Sequence, residues 1–109
     1  LAVLIEVGVD FSSDLTYIER VTTEVGRDVM RTVPGGLLEF EPFIRYHTFG
    51  DFGINFTVIL RAKKFVDQYL IKHEFIKRLQ ARYRQEGITI PSPLRTCSPK
   101  DPTLTGRSS

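Results

Sequence analysis

Gly87-Ile88-Thr89-Ile90-Pro91-Ser92-Pro93-Leu94-Arg95-Thr96 follows directly on a long, basic, amphipathic stretch, and its reading closes the fold. Gly87 can take the left-handed backbone that ends a helix. Ile88, Thr89 and Ile90 can start a strand, while Pro91 and Pro93, which offer no N–H to a ladder, stop it from continuing as a central one. The segment therefore predicts a helix stop, a short edge strand and an extended arm leaving the domain.

Upstream of Gly87, Ile71, Phe75, Ile76, Leu79 and Tyr83 mark one face of a helix from about Val66 to Glu86, with basic residues mostly on the other face. Before it, Ile54, Phe56, Val58 and Leu60 alternate with Asn55, Thr57, Ile59 and Arg61, the period-2 pattern of a strand with one apolar face. Gly50-Asp51-Phe52-Gly53 reads as its hairpin turn. Phe43 to Phe49 holds β-formers with poor alternation: Phe43, Arg45, His47 and Phe49 share one face and Ile44, Tyr46 and Thr48 the other, which suits an edge strand. Further back, Ser13 or Asp14 can cap a helix whose face is Leu15, Ile18, Thr22, Val25 and Val29, running to about Arg31 and ended by Pro34-Gly35-Gly36. Val3, Ile5, Val7 and Val9 alternate with Ala2, Leu4, Glu6 and Gly8 in a first strand.

The order strand, helix, strand, strand, helix, strand, with right-handed crossovers, predicts an α+β fold. Its form is a two-layer split βαβ (ferredoxin-like) sandwich, βαββαβ, with a four-stranded antiparallel sheet and two helices on one face. The first and third strands take the middle. Leu4 and Ile59 then lie on the sheet face away from the helices, where a neighbouring subunit or domain is expected to cover them.

At 109 residues, 41% hydrophobic and 26% charged, the chain has the composition of one modest globular domain. It holds no run of about 20 apolar residues, so nothing in it reads as a bilayer span. It starts without Met and directly in strand, which predicts a piece of a longer protein. Cys97 is the only cysteine, which excludes an internal disulfide and fits a reducing compartment. The net charge of +2 is too small to argue for nucleic acid, but carboxylates dominate up to Asp51 and cations crowd the later part. That asymmetry reads either as two solvated faces of opposite sign or as a polyion surface or a charged wall beside an ion path. Residues 1–96 are expected to form the domain. Residues 97–109, rich in Pro, Ser, Thr and Gly, are expected to be a disordered tail.

Catalytic chemistry is not legible. His47 and His73 lack Cys, Asp or Glu at metal-ligand spacing apart from the adjacent Glu74, which faces elsewhere. Asp51-Phe52-Gly53 imitates a kinase tripeptide without the loops that give it meaning. Ser12 and Ser13 lack nucleophile-elbow glycines and read as capping residues. Glu19, Glu24 and Asp28 form no close pair in an apolar site. The chain is read as no enzyme, with no cofactor and no metal. RNA-recognition domains share the topology, but their outward base-stacking aromatics are missing: Phe56 shares its face with Ile54, Val58 and Leu60, hence the core. Nucleic acid is accordingly not an expected partner. A soluble regulatory or small-molecule-binding domain of the same topology stays open as the alternative.

Three clusters, in order over nearly the whole length to Thr96, resemble the C-terminal domain of the small-conductance mechanosensitive channel (MscS) family. They are Val7-Gly8-Val9-Asp10-Phe11-Ser12-Ser13-Asp14, Gly50-Asp51-Phe52-Gly53-Ile54-Asn55-Phe56, and the segment Gly87 to Thr96. The tail after Thr96 does not read as the further strand with which some members build a small barrel. The resemblance implies a cytoplasmic vestibule domain of a tension-gated ion channel that relieves osmotic stress. It also implies a homo-oligomeric parent, a heptamer at full length, held in the cell's inner (plasma) membrane by upstream transmembrane helices. Arg61, Lys63 and Lys64 after the third strand, with Arg78, Arg82 and Arg84 on the second helix, are the residues expected at the vestibule wall or subunit interface.

Overall fold

The computed structural model describes residues 1–91, in the order β1 (Ala2–Val9), α1 (Leu15–Thr32), β2 (Phe43–Phe49), β3 (Ile54–Arg61) and α2 (Asp67–Glu86). The boundary expected at Thr96, the expected tail 97–109 and Cys97 lie outside the described residues.

The alternating positions become one buried sheet face. β1 and β3 pair antiparallel in unbroken register from Ala2 opposite Arg61 to Val9 opposite Ile54. Opposed residues share a face, so Val3, Ile5 and Val9 lie beside Phe56, Val58 and Leu60, all buried. β2 adds antiparallel to the other edge of β3, giving the order β1-β3-β2. Both helices cover this apolar face. α1 packs over β2 and β3, α2 packs over β1, and one core unites Ile18, Val21, Val25 and Val29 of α1 with Ile71, Phe75, Leu79 and Tyr83 of α2.

The helix ends follow the expected chemistry. The Asp14 carboxylate accepts from the Tyr17 N–H at 3.2 Å, satisfying a free amide of the first turn. α1 stops at Val33, before Pro34, and Gly35 follows with φ 93°. At the end of α2, Gly87 is left-handed (φ 73°, ψ 23°), and the Ile88 N–H donates back to the Tyr83 carbonyl at 2.9 Å.

Three expectations are corrected. The fourth strand does not form among the described residues, so the sheet has three strands and β1 is an edge instead of an inner strand. After Gly87 the chain makes one ladder-like contact, Asp10 N–H to Thr89 carbonyl at 3.3 Å. It then crosses the end of the β1–β3 pair, where the Pro91 ring lies over Gly53. Pro91 supplies no N–H with which to follow β1 downward. Second, the alternation of β2 breaks at a register shift between Tyr46 and Thr48. Thr48 comes opposite Asn55 on the open face and Phe49 opposite Ile54 on the helix side, the reverse of strict alternation, because a bulge inserts one extra residue. Third, Ile76 is exposed while Phe75 is buried. One residue turns a helix by about 100°, which carries Ile76 off the sheet.

Candidate functional site

The six basic residues do not gather into one patch. Arg78 and Arg82 lie half-buried between the helices. Arg78 Nη1 reaches Asp28 Oδ2 at 2.9 Å and Thr32 Oγ1 at 2.6 Å on α1, while its Nε faces Glu74 on its own helix at 3.4 Å. Arg82 repeats the arrangement one turn on, with Glu24 of α1 at 2.8 Å and Glu86 of α2 at 2.9 Å. Together these groups form an ion-pair ladder across the α1–α2 seam. A groove of about 550 Å³ follows the seam, lined by Glu24, Asp28, Arg27, Arg31, Arg78 and Arg82 among others.

Arg61, Lys63 and Lys64 stand at the end of the sheet where β1 begins. Arg61 faces the Phe40 ring at 5.9 Å from its centroid. The Lys63 N–H donates to the Gly35 carbonyl at 2.8 Å and the Lys64 N–H to Asp67 Oδ2 at 3.2 Å, so the backbone there is tied down while both ammonium groups stay exposed. Arg84, near the far end of α2, is also exposed. Among the described residues, Arg61, Lys63, Lys64 and Arg84 form no ion pair with a carboxylate.

Two polar clusters escaped the sequence reading because their members are far apart in the chain. On the open sheet face Glu6 accepts from Thr57 Oγ1 at 2.7 Å, and His47 Nε2 lies 3.1 Å from its other oxygen. The Thr57 hydroxyl, with help from His47, holds the Glu6 carboxyl below its ordinary value against the opposing effect of burial. In the core, the Thr22 hydroxyl meets the Tyr83 hydroxyl between the helices. Burial pushes Tyr83 up to about 12 although the Thr22 bond pulls the other way. Only the sheet register could have revealed the first cluster, and only helix packing the second.

The polar groups are engaged in ion pairs and hydrogen bonds between elements, and among the described residues no group of three or more His, Cys, Asp or Glu could hold a metal ion. Nor, among them, is any helix long and apolar enough to cross a membrane.

Residues 3–90 match the sequence model of the family described as mechanosensitive ion channel MscS, C-terminal. The chain belongs to this family. The MscS C-terminal fold is also recovered in three dimensions: the crystal structure of Helicobacter pylori MscS in its closed state is similar, with a TM-score of 0.63 and 25% sequence identity over 84% of this chain. That likeness takes in 35% of the H. pylori chain, so the present chain spans about a third of that channel protein. No curated protein matches the chain. The MscS match ends at Ile90, at the point where the described backbone turns away from β1.

Proposed function

We propose that this chain is the cytoplasmic vestibule domain of a tension-gated ion channel in the cell's inner membrane, assembled from several copies, seven in the full-length parent. The observation that carries the reading is the family match across residues 3–90. In this role the domain performs no chemistry. It packs against its copies to form a hollow wall below the pore, and its charges bias which ions and small solutes concentrate beside the entrance.

The six basic residues then divide the work. Arg61, Lys63, Lys64 and Arg84 present cations to solvent or to a neighbouring copy, supported by their exposure and by the lack of carboxylate partners among the described residues. Arg78 and Arg82 are instead occupied by carboxylates across the α1–α2 seam, which leaves less of their charge to the wall. The layout is read as a ferredoxin-like frame whose fourth strand position, beside β1, is taken up by none of the described residues.

The test is expression of the full-length parent in bacteria stripped of their own mechanosensitive channels. Survival of an abrupt drop in external osmolarity, with stretch-activated conductance in excised membrane patches, is expected. Patches that carry the protein and stay silent up to the tension at which they rupture refute the reading. Lys63→Glu together with Lys64→Glu should shift the reversal potential in asymmetric salt toward cation preference.

A further inference from the structure

Two rows of side chains cross the open face of the sheet. Leu4, Ile59 and Phe43 are register partners in one row, and Glu6, Thr57 and Arg45 in another. Leu4 is 54% and Phe43 36% exposed, although both are large and apolar. One row thus ends in an apolar residue on both edges, Leu4 and Phe43; the other ends in opposite charges, Glu6, whose carboxylate also meets Thr57 and His47, and Arg45, whose guanidinium lies over the Phe43 ring. β1 and β2 both run antiparallel to β3, so they point the same way. A second copy rotated about an axis along the strands, without sliding, would bring its β2 edge parallel to this β1 edge. Leu4 would then meet Phe43, and Glu6 would meet Arg45.

The helix above β1 is shaped for the same neighbour. Ile71, Phe75 and Leu79 point to the sheet, and Arg78 and Arg82 point to α1. Helical spacing therefore sets Tyr69, Lys72 and Ile76 on the flank away from α1, over the outer side of β1, where no described residue adds a strand. Tyr69 is 63% and Ile76 55% exposed. We propose that the β1 edge, with this flank of α2, is the docking surface for the β2 edge of a second copy, so that the sheet runs on from subunit to subunit in a head-to-tail ring.

An exposed edge strand is a template for pairing, and a heterologous contact that closes by rotation makes a ring. A two-fold pairing of β1 with β1 fits poorly, because about the middle of the strand it would bring Glu6 toward Glu6 and Lys72 toward Lys72. The inference rests on the reading of the domain as a packing element of an assembled channel, and it names the surface and the partner strand.

The experiment uses the full 109-residue chain carrying Cys97→Ser. Glu6→Cys and Arg45→Cys are introduced separately and oxidised alone and as a mixture. The mixture is expected to give a covalent dimer joining the two versions, and each version alone little. Ile76→Asp, at an exposed position, should weaken self-association in sedimentation at least about tenfold while leaving the thermal unfolding midpoint nearly unchanged. Efficient cross-linking of Glu6→Cys with itself overturns the proposal in favour of two-fold pairing. A chain that stays monomeric with no mixed cross-link overturns it as well. A parent that survives osmotic downshock without the cross-link refutes only this pairing, and a cross-link in a parent without stretch-activated conductance refutes only the channel reading.

Discussion

Gly87 shows how one residue sets a boundary. Its φ of 73° lies where an L side chain crowds its own backbone, yet a Cβ there would meet nothing within 4 Å. The cost of Gly87→Val is accordingly that of the backbone alone, about 1–2 kcal/mol, read as a lower urea midpoint with an unchanged slope. Phe56 is the opposite case, with its ring fully buried and edge-on to Tyr46 at 5.2 Å. Phe56→Ala leaves a cavity in the shared core and should cost about 3–5 kcal/mol in chemical denaturation. A near-neutral result would mean that this ring is not in the core. Gly53 adds a position that alternation cannot flag: a Cβ there would collide with the Val9 carbonyl and the Pro91 ring, so its smallness serves the crossing of the arm.

Elements are joined by groups the sequence scatters. The Thr22–Tyr83 contact lies in the core between α1 and α2, while the Arg78 and Arg82 ladder seals the outer side of the same seam. The ladder is largely solvated, and exposed ion pairs contribute little. The buried phenol carries a clearer signature. Its pKa is raised to about 12, above the ordinary phenol value of about 10, so between these the folded state holds its proton while the unfolded state releases it. The stability it supports is whole below pH ~10 and falls as pH rises toward ~12. Thermal midpoints measured across that window should decline for the parent chain and more shallowly for Tyr83→Phe. Tyr46, pushed up mainly by burial, keeps the variant from becoming flat.

How far the elements were legible follows from the same physics. β1, β3 and the buried face of α1 could be read because every second, or every third to fourth, residue is apolar. β2 misled because its bulge reverses the alternation after His47, and a bulge is settled by the partner strand. Ile76 misled because two adjacent apolar residues on a helix cannot both face one sheet.

At the scale of the molecule, one continuous core spans both helices and all three strands. Unfolding should therefore be a single cooperative transition, with far-ultraviolet dichroism and tyrosine fluorescence reporting the same midpoint. Two separated midpoints would show that α2 opens independently of the sheet. The six basic residues were identifiable as cations from the chain alone, but not their division into a helix seam and exposed ends, since pairing depends on distances between residues about fifty positions apart.

Residue order by itself determined the succession of the first five elements, which strands carry an apolar face, where the helices stop, and the family, because these depend on local periodicity, on backbone-specific residues such as Gly87, and on short motifs. Only the tertiary structure decided that β1 is an edge among the described residues, that the arm as far as Pro91 crosses the sheet end, and that Glu6 and Arg45 stand in one row. Those outcomes rest on hydrogen bonds and contacts between segments distant along the chain, whose relative free energies no single segment contains.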